Sequence, residues 1–384
     1  VEQMQSWTYE GNTRKYSAIL YRYNAQSWAI EEALIRVGLP YRIYGGQRFY
    51  ERLEIRNALA YMRLVIGRGD DPALERIINT PTRGIGSKTV DDLRAIARDN
   101  NVSMWQAMGL AQQNGLLGSR ARSSLSGFAA LINELDSETV ELPLEEMVEH
   151  VIHRTGLIDF HKAEKGERGQ ARVENLEELV SAAKTFRAED DSLSPLQQFL
   201  DSAALDAGDS QADPYEDSVQ MMTLHSAKGL EFPLVILTGL EENLFPHRMS
   251  VEEPGRLEEE RRLAYVGITR AQQRLLITYA ESRRLHGSET YNTPSRFVRE
   301  IPSDLIEEVR LHGGLTRPLS DRLQQPVGAS NDSGLSLGQR VTHPMFGEGM
   351  VLNIEGRGAN ARIEVNFAEG SKWLVLQYAN LQAL

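Results

Sequence analysis

The segment TPTRGIGSKT, Thr80 to Thr89, sets two glycines around one isoleucine, ahead of a lysine and a threonine. Glycine-rich loops ending in Lys-Thr cradle nucleotide phosphates, but in the arrangement G-x-x-x-x-G-K-[ST]. Here Ser87 stands where glycine must precede Lys88, Thr82 stands at the first glycine position, and no Gly-Lys dipeptide occurs anywhere in the chain. A nucleotide loop is therefore rejected. Two readings stay open. The segment is a tight helix–turn–helix connection, or a helical hairpin offering the Gly84 and Gly86 amides and the Arg83 guanidinium to a nucleic-acid phosphate. The amino end of a helix starting near Lys88 would assist the second.

A second cluster, TLHSAKGLEF (Thr223–Phe232), follows a strand-like run and gathers His225, Lys228 and Glu231. Ligands of open α/β sheets bind at the carboxyl ends of parallel strands. Lys228 suits an anion there and Glu231 a ribose hydroxyl; a polar loop with solvated charges is the plainer alternative. A third, LEEERRLAYVGITRA (Leu257–Ala271), reads as a helix. Arg270 lies seven residues after Leu263 and four after Val266, on the core-facing stripe. A guanidinium buried without a partner is costly and should meet an anion. A cation placed at a helix carboxyl end is the simpler account. Glu258 and Arg262, at i,i+4, read as a surface pair.

The elements that must position these residues follow from hydrophobic spacing. SAILYR (Ser17–Arg22) and YRIYGG (Tyr41–Gly46) have strand character, and QSWAIEEALIRVG between them has helical spacing and a closing glycine. Strand–helix–strand with short connections favours a parallel sheet. EIRNALAYMRLVI, KTVDDLRAIARD, LSGFAALINELD, LEEMVEHVIHRTG and VENLEELVSAAKTF then read as amphipathic helices. Strand character returns in VQMMTLH, LVILTG and RLLITYAE. The fold class expected is α/β: one parallel sheet split by an all-helical insertion. Two separate α/β domains are the alternative, though the first piece is too short to fold alone. The boundaries drawn are 1–45 and 215–308 for the sheet domain and 46–214 for the insertion. A polar, Gly/Pro/Ser-rich tether is expected at 309–334 and a small antiparallel barrel of about five strands at 335–384.

The bulk composition narrows the function classes. A chain of 384 residues with formal net charge −12 is not a simple DNA-coating protein. A motor whose cations line one groove stays possible. With no cysteine, thiolate metal sites and disulfides are excluded, which fits a reducing cytoplasm. The histidines lack metal-ligand spacing, so no metal site is expected within the chain. No run of about 18 apolar residues is present, so no membrane span is expected.

Five motifs in order, ILYRYNAQS, YRIYGGQRFYERLEIRNALAYMRL, TPTRGIG, MTLHSAKGLEF and EEERRLAYVGITRA, closely resemble the C-terminal half of the UvrD/PcrA/Rep family, superfamily 1 helicases that move 3′ to 5′. The resemblance covers essentially the whole chain. It implies a second RecA-like domain split by a helical insertion, then a tether and a Tudor-like (SH3-like) barrel. It implies that Arg270 is the arginine finger at the ATP γ-phosphate, that Glu231 binds the ribose, and that Lys228 couples the DNA and ATP sites. Arg22, Asn24 and His225 would contact single-stranded DNA, and Thr80, Arg83, Gly84 and Gly86 the duplex backbone. His286, in RRLHG, stands where relatives carry a base-stacking Tyr or Phe, and imidazole offers less stacking surface.

The resemblance further implies ATP and Mg²⁺ as cofactors, bound mainly by a first RecA-like domain whose Walker A and B motifs do not precede these five. The chain, which lacks an initiator Met, is expected to be a C-terminal fragment that does not hydrolyse ATP alone. Expected partners are single-stranded and duplex DNA, the first RecA-like domain, and RNA polymerase or repair proteins through the barrel, where Phe346 and Trp373 are candidate anchors. The expected setting is excision and mismatch repair in a bacterial, nucleoid-associated cytoplasm. A stand-alone, non-catalytic nucleic-acid or protein-binding scaffold is the competing reading, which the negative net charge favours.

Overall fold

The computed structural model describes residues 1–164, 167–208, 216–253, 255–280, 282–285, 288–309, 340–343, 346–355, 362–367, 370–375, 379 and 382–383. The chain divides into two units, Val1–Glu300 and Ile301–Leu384.

The first unit is organised by five parallel strands: β1 (Ser17–Tyr21), β2 (Tyr41–Ile43), β3 (Val219–Thr223), β4 (Phe232–Leu237) and β5 (Ala271–Ile277), in the order β2-β3-β1-β4-β5. Strands from both sides of the helical stretch therefore share one sheet. All five residues of β1 are buried, as expected for a central parallel strand covered on both faces. Their side chains alternate. Ala18 and Leu20 join Met222, Val235, Leu237, Leu263 and Phe245 on one face, while Ile19 and Tyr21 join Leu34, Tyr41, Ile43 and Met221 on the other.

Helix α1 (Glu2–Tyr9), which hydrophobic spacing did not predict, buries Met4 on the second face, and α2 (Ser27–Arg36) places Leu34 there. Between β2 and β3 the described elements longer than a single 3-10 turn are all α-helices. They are α3 (Leu53–Ile66), α4 (Asp71–Ile77), α5 (Ser87–Asn100), α6 (Met104–Gln113), α7 (Ser119–Thr139), α8 (Leu144–Arg154), α9 (Leu157–Lys162), α10 (Glu167–Thr185) and α11 (Pro195–Gly208). They share one core in which Ile55, Leu64, Leu74, Phe128, Val151, Leu176 and Phe199 are nearly or fully buried. α3 buries ten of its fourteen residues, too many for a surface helix, and is the block's central rod. After β4 come α12 (Arg248–Glu252) and α13 (Arg256–Ile268); after β5 come the hairpin β6 (Ser282–Leu285) and β7 (Ser288–Tyr291), and α14 (Arg296–Arg299).

A buried polar network fastens the helical block to the sheet. The Glu31 carboxylate on α2 accepts from Ser27 Oγ (2.6 Å), Tyr41 Oη (3.2 Å) and the Phe49 amide (3.3 Å). Arg48 donates from Nε to Tyr41 Oη (2.9 Å). Arg52, at the start of α3, donates to Ser27 Oγ and to Asn175 Oδ1 (2.8 Å), and Asn175 Nδ2 donates to Glu54 (2.6 Å). Glu31, Arg48, Arg52, Glu54 and Asn175 are each at most 8% exposed. Groups this dry must be fully partnered to be tolerated.

The second unit holds β8 (Arg340–His343), β9 (Gly347–Glu355), β10 (Arg362–Phe367), β11 (Gly370–Val375) and β12 (Gln382–Ala383), paired antiparallel in the order β11-β10-β9-β8-β12. The tether expected at 309–334 lies, from residue 310 on, outside the described residues. Among the described residues no helix is long and apolar enough to cross a membrane.

Removing Arg52 takes one of the two guanidiniums beside the buried Glu31 carboxylate out of a dry junction and leaves Asn175 Oδ1 without its donor. Arg52→Ala is expected to lower folding stability by about 3–5 kcal/mol, read as a drop in the urea midpoint of the chain; a loss under about 1 kcal/mol, the worth of a surface pair, would overturn this account.

Candidate functional site

A parallel sheet has two chemically distinct edges, and the candidate residues divide between them. At the carboxyl edge β1 ends at Tyr21 opposite Thr223, the last residue of β3, and the Leu224 amide donates to the Tyr21 carbonyl (2.9 Å). Arg22 and His225 thus leave the sheet side by side. The chain turns sharply after Arg22 because Gln26 Oε1 accepts from the amides of Arg22 (2.9 Å) and Tyr23 (2.8 Å). Gly239, at φ +74°, lies so close to Gln26 that a side chain there would collide with it. The turn leaves Asn24 exposed, and His225 is exposed beside it.

Arg22 is not free for a ligand in the way its sequence suggested. Its guanidinium grips Glu260 of α13, with Nε 3.1 and 3.2 Å from the two carboxylate oxygens and a terminal nitrogen 2.7 Å from Oε1. It also lies over the Tyr23 ring, 4.4 Å from the centroid. Glu260 is 4% exposed and accepts weakly from Ser250 Oγ at 3.4 Å. His247 packs edge-on against Tyr23. Burial holds its imidazole below the ordinary histidine value; the Glu260 carboxylate opposes that shift and the Arg22 and Arg248 guanidiniums reinforce it.

The loop from β3 to β4 must return from one edge to the other, since the two strands are parallel. Leu224 and Ala227 are buried along its course, and Gly229 turns it at φ +82°. The reading of TLHSAKGLEF as one carboxyl-edge loop is therefore corrected. His225 sits at that edge, whereas Glu231, immediately before β4, sits at the amino edge, about 20 Å away by strand rise. Lys228 is exposed between them.

Arg270 lies at the same amino edge as Glu231: the Phe232 amide donates to the Arg270 carbonyl (2.9 Å), and Phe232 pairs with Ala271. The expectation that Arg270 belongs to the helix and its core-facing stripe is also corrected. α13 ends at Ile268 because the chain must turn to begin β5 at Ala271. The half-buried guanidinium folds back, donating to the carbonyls of Val266 (3.0 Å) and Leu230 (2.9 Å) and to Thr269 Oγ1 (3.0 Å). Among the described residues no carboxylate pairs with it. A guanidinium has five N–H donors, so two remain for an anion. Glu231 accepts from Gln272 at 3.4 Å and is otherwise open to solvent. Glu258 pairs with Arg261, which also binds Glu300 (2.9 Å), and not with Arg262 as the i,i+4 spacing suggested.

In the helical block, TPTRGIG forms the connection from α4 to α5. Asn79 Oδ1 accepts from the amides of Arg83 (2.8 Å) and Ile85 (3.2 Å), and Tyr61 Oη donates to the Thr80 carbonyl (2.6 Å). Gly84, at φ +75°, and Gly86, the N-cap of α5, are exposed, and neither amide has a partner among the described residues. Arg83 departs from expectation. Its guanidinium turns inward over Tyr61 and Phe128 and donates to the carbonyls of Pro81 (3.0 Å) and Thr155 (3.1 Å). Arg83 holds the loop in shape; the outward groups are the glycine amides. His286 lies outside the described residues, as does the side chain of Trp373. Phe346 stacks on His343 at 4.6 Å and lies under Lys372 Nζ at 3.9 Å.

Glu260 is the functional residue that reading by motif missed. Its signal was present: Glu260, Leu263, Ala264 and Gly267 follow the helical 3–4–7 spacing, and all four are buried. Gly267 is part of the same design, because a Cβ there would come 2.5 Å from Leu224 Cδ2 and 2.9 Å from Leu237 Cδ2. The absent side chain lets α13 lie directly on the sheet.

Comparison with known proteins agrees with this geometry. Residues 1–282 match the model of the UvrD-like helicase C-terminal domain, and residues 337–382 that of the PcrA/UvrD tudor domain. The chain is 52% identical over 387 aligned residues to DNA helicase II of Escherichia coli K12, covering 100% of this chain and 54% of that protein. It is 50% identical to DNA helicase II of Haemophilus influenzae, covering 99% and 53%, and 39% identical to the ATP-dependent DNA helicase PcrA of Bacillus subtilis, covering 95% and 52%. It spans about half the length of these relatives. A five-stranded parallel sheet split in sequence by helices fits the first of these models, and the chain belongs to the family of UvrD-like helicases, of which it is a C-terminal portion.

Proposed function

We propose that this chain is the C-terminal part of an ATP-dependent 3′–5′ DNA helicase of DNA repair, contributing one wall of the ATP cleft, part of the single-strand groove and the duplex-facing domain. The observation that carries the reading is the split between the two sheet edges and the one helix that joins them. Glu231 and Arg270 stand at the amino edge, Asn24 and His225 at the carboxyl edge, and α13 is tied to the latter by Glu260–Arg22 and runs on to the former at Arg270.

In this reading residues 1–45 and 215–308 form the second RecA-like domain, 46–214 the insertion, and 335–384 a small Tudor-like barrel that docks a protein partner such as RNA polymerase. ATP binds between this domain and a first RecA-like domain that supplies the Mg²⁺ site and the attacking water. Arg270 fits the γ-phosphate, having spare N–H donors and no competing carboxylate, and Glu231 accepts from the ribose. Lys228 lies on the loop that runs from one edge to the other and in this reading couples the DNA and ATP sites. Arg22 is a positioning residue. Single-strand binding beside Asn24 and His225 shifts the Arg22–Glu260 pair, and α13 carries that shift to Arg270 as the cleft closes. The nucleoid-associated bacterial cytoplasm follows from this role.

Two outcomes test the assignments. In the full-length enzyme, Arg270→Ala is expected to reduce DNA-stimulated ATPase by about 10³–10⁵ while single-strand affinity persists, and near-parental ATPase would remove the arginine-finger role. Gly86 has φ −80° and nothing within 4 Å of a built Cβ, so Gly86→Ala should fold normally. It is expected to weaken binding to tailed duplex and slow unwinding, with single-strand-stimulated ATPase intact; the reverse pattern would defeat the duplex role of the loop.

A further inference from the structure

Beside the glycine loop lies a surface whose charge is unlike the rest of the molecule. The chain has 54 acidic residues in 384, yet none occurs from residue 76 to 90 or from residue 100 to 133. The fold brings these two stretches together. Arg83 lies over Phe128 of α7, and a Cβ on Gly84 would come 3.7 Å from Ser124 Oγ, also on α7.

The first turns of α7 carry Arg120, Ser123 and Gly127 one helical turn or less from Ser124, so they border the same face. All three are exposed. Lys88, on the first turn of α5, is exposed as well. Neither Arg120 nor Lys88 has an ion-pair or hydrogen-bond partner among the described residues. Arg122 Nε is buried with no hydrogen-bond partner. Several other arginines of the helical block are paired, Arg94 with Glu75 and Asp91, Arg154 with Glu134 and Glu138, and Arg68 with Asp136, whereas Arg56 and Arg76 on α3 and α4 face each other as like charges. Around Arg120 the surface is cationic and floored by serines and glycine, so it admits a phosphate backbone closely; the nearest carboxylates on α5, Asp91 and Asp92, stand one turn beyond Lys88.

We infer that the amino-terminal half of α7, through Arg120, Ser123 and Ser124, forms with the Gly84 and Gly86 amides a second wall of the duplex DNA site, gripping consecutive backbone phosphates. The inference rests on the duplex reading of the glycine loop and extends it to a helix none of the sequence motifs touches. Duplex geometry distinguishes this partner from a flexible single strand, because both walls belong to one rigid helical core and present fixed donors.

The test is fluorescence-anisotropy titration of the 384-residue chain with a 3′-tailed duplex and with the tail strand alone, across a salt series. Variants are Arg120→Glu, Ser123→Glu and Gly86→Ala, each checked for unchanged thermal unfolding. Arg120→Glu and Ser123→Glu are expected to weaken duplex binding on the order of tenfold at low salt and to lower the salt slope by about one for each phosphate no longer gripped, leaving the single strand unaffected. If Gly86→Ala weakens duplex binding while both α7 variants bind as the parent does, the α7 wall is overturned and the loop's role stands. If none of the three weakens it, both readings fail. Equal weakening for duplex and single strand also overturns the inference.

Discussion

The Arg22–Glu260 pair is the interaction that ties the central strand of the sheet to the helix running to its other edge. Both groups are withdrawn from water and meet in a two-pronged, charge-assisted geometry, the arrangement in which a buried ion pair is tolerated. One partner ends the central strand of the sheet, and the other lies in the first half of α13. The pair thereby fixes a helix to the strand edge where nucleic acid is expected, and the far end of the same helix delivers Arg270 to the opposite edge. Gly267 completes the arrangement by letting the helix rest on Leu224 and Leu237.

The helical block is subject to a related constraint. Its attachment joins a polar network, with Glu31 and Arg52 at its centre, to apolar packing of Trp28 of α2 against Phe49 and the helical core. Polar networks hold only in one arrangement, since partial satisfaction leaves buried charge unpaired.

Much of the sheet was legible because buried parallel strands are short apolar runs, as SAILY and LVILTG are, and because long amphipathic helices such as α3, α5 and α8 announce their period. The candidate site was legible in composition and less so in direction. Arg83 looked outward because glycines follow it, yet Tyr61 and Phe128, distant in sequence, supply the aromatic faces that draw it inward. Arg270 looked helical because the apolar spacing continues past Ile268, where the chain must turn to enter β5. TLHSAKGLEF looked like one loop at one edge because a sequence does not display the distance that a return between parallel strands must cover. Glu260 was passed over amid a run of charged residues, although its spacing from Leu263 and Gly267 marked it as buried. α1 and the β6–β7 hairpin, short and weakly patterned, left no such mark.

β2 and β3 are adjacent parallel strands, and parallel neighbours require a crossover between them. Here the entire helical block occupies that crossover. The chain leaves for it from the carboxyl edge at Ile43 and comes back to the amino edge at Val219. The block is consequently joined to the sheet at both of its margins, leaving from the one that carries Asn24 and His225 and returning to the one that carries Glu231 and Arg270.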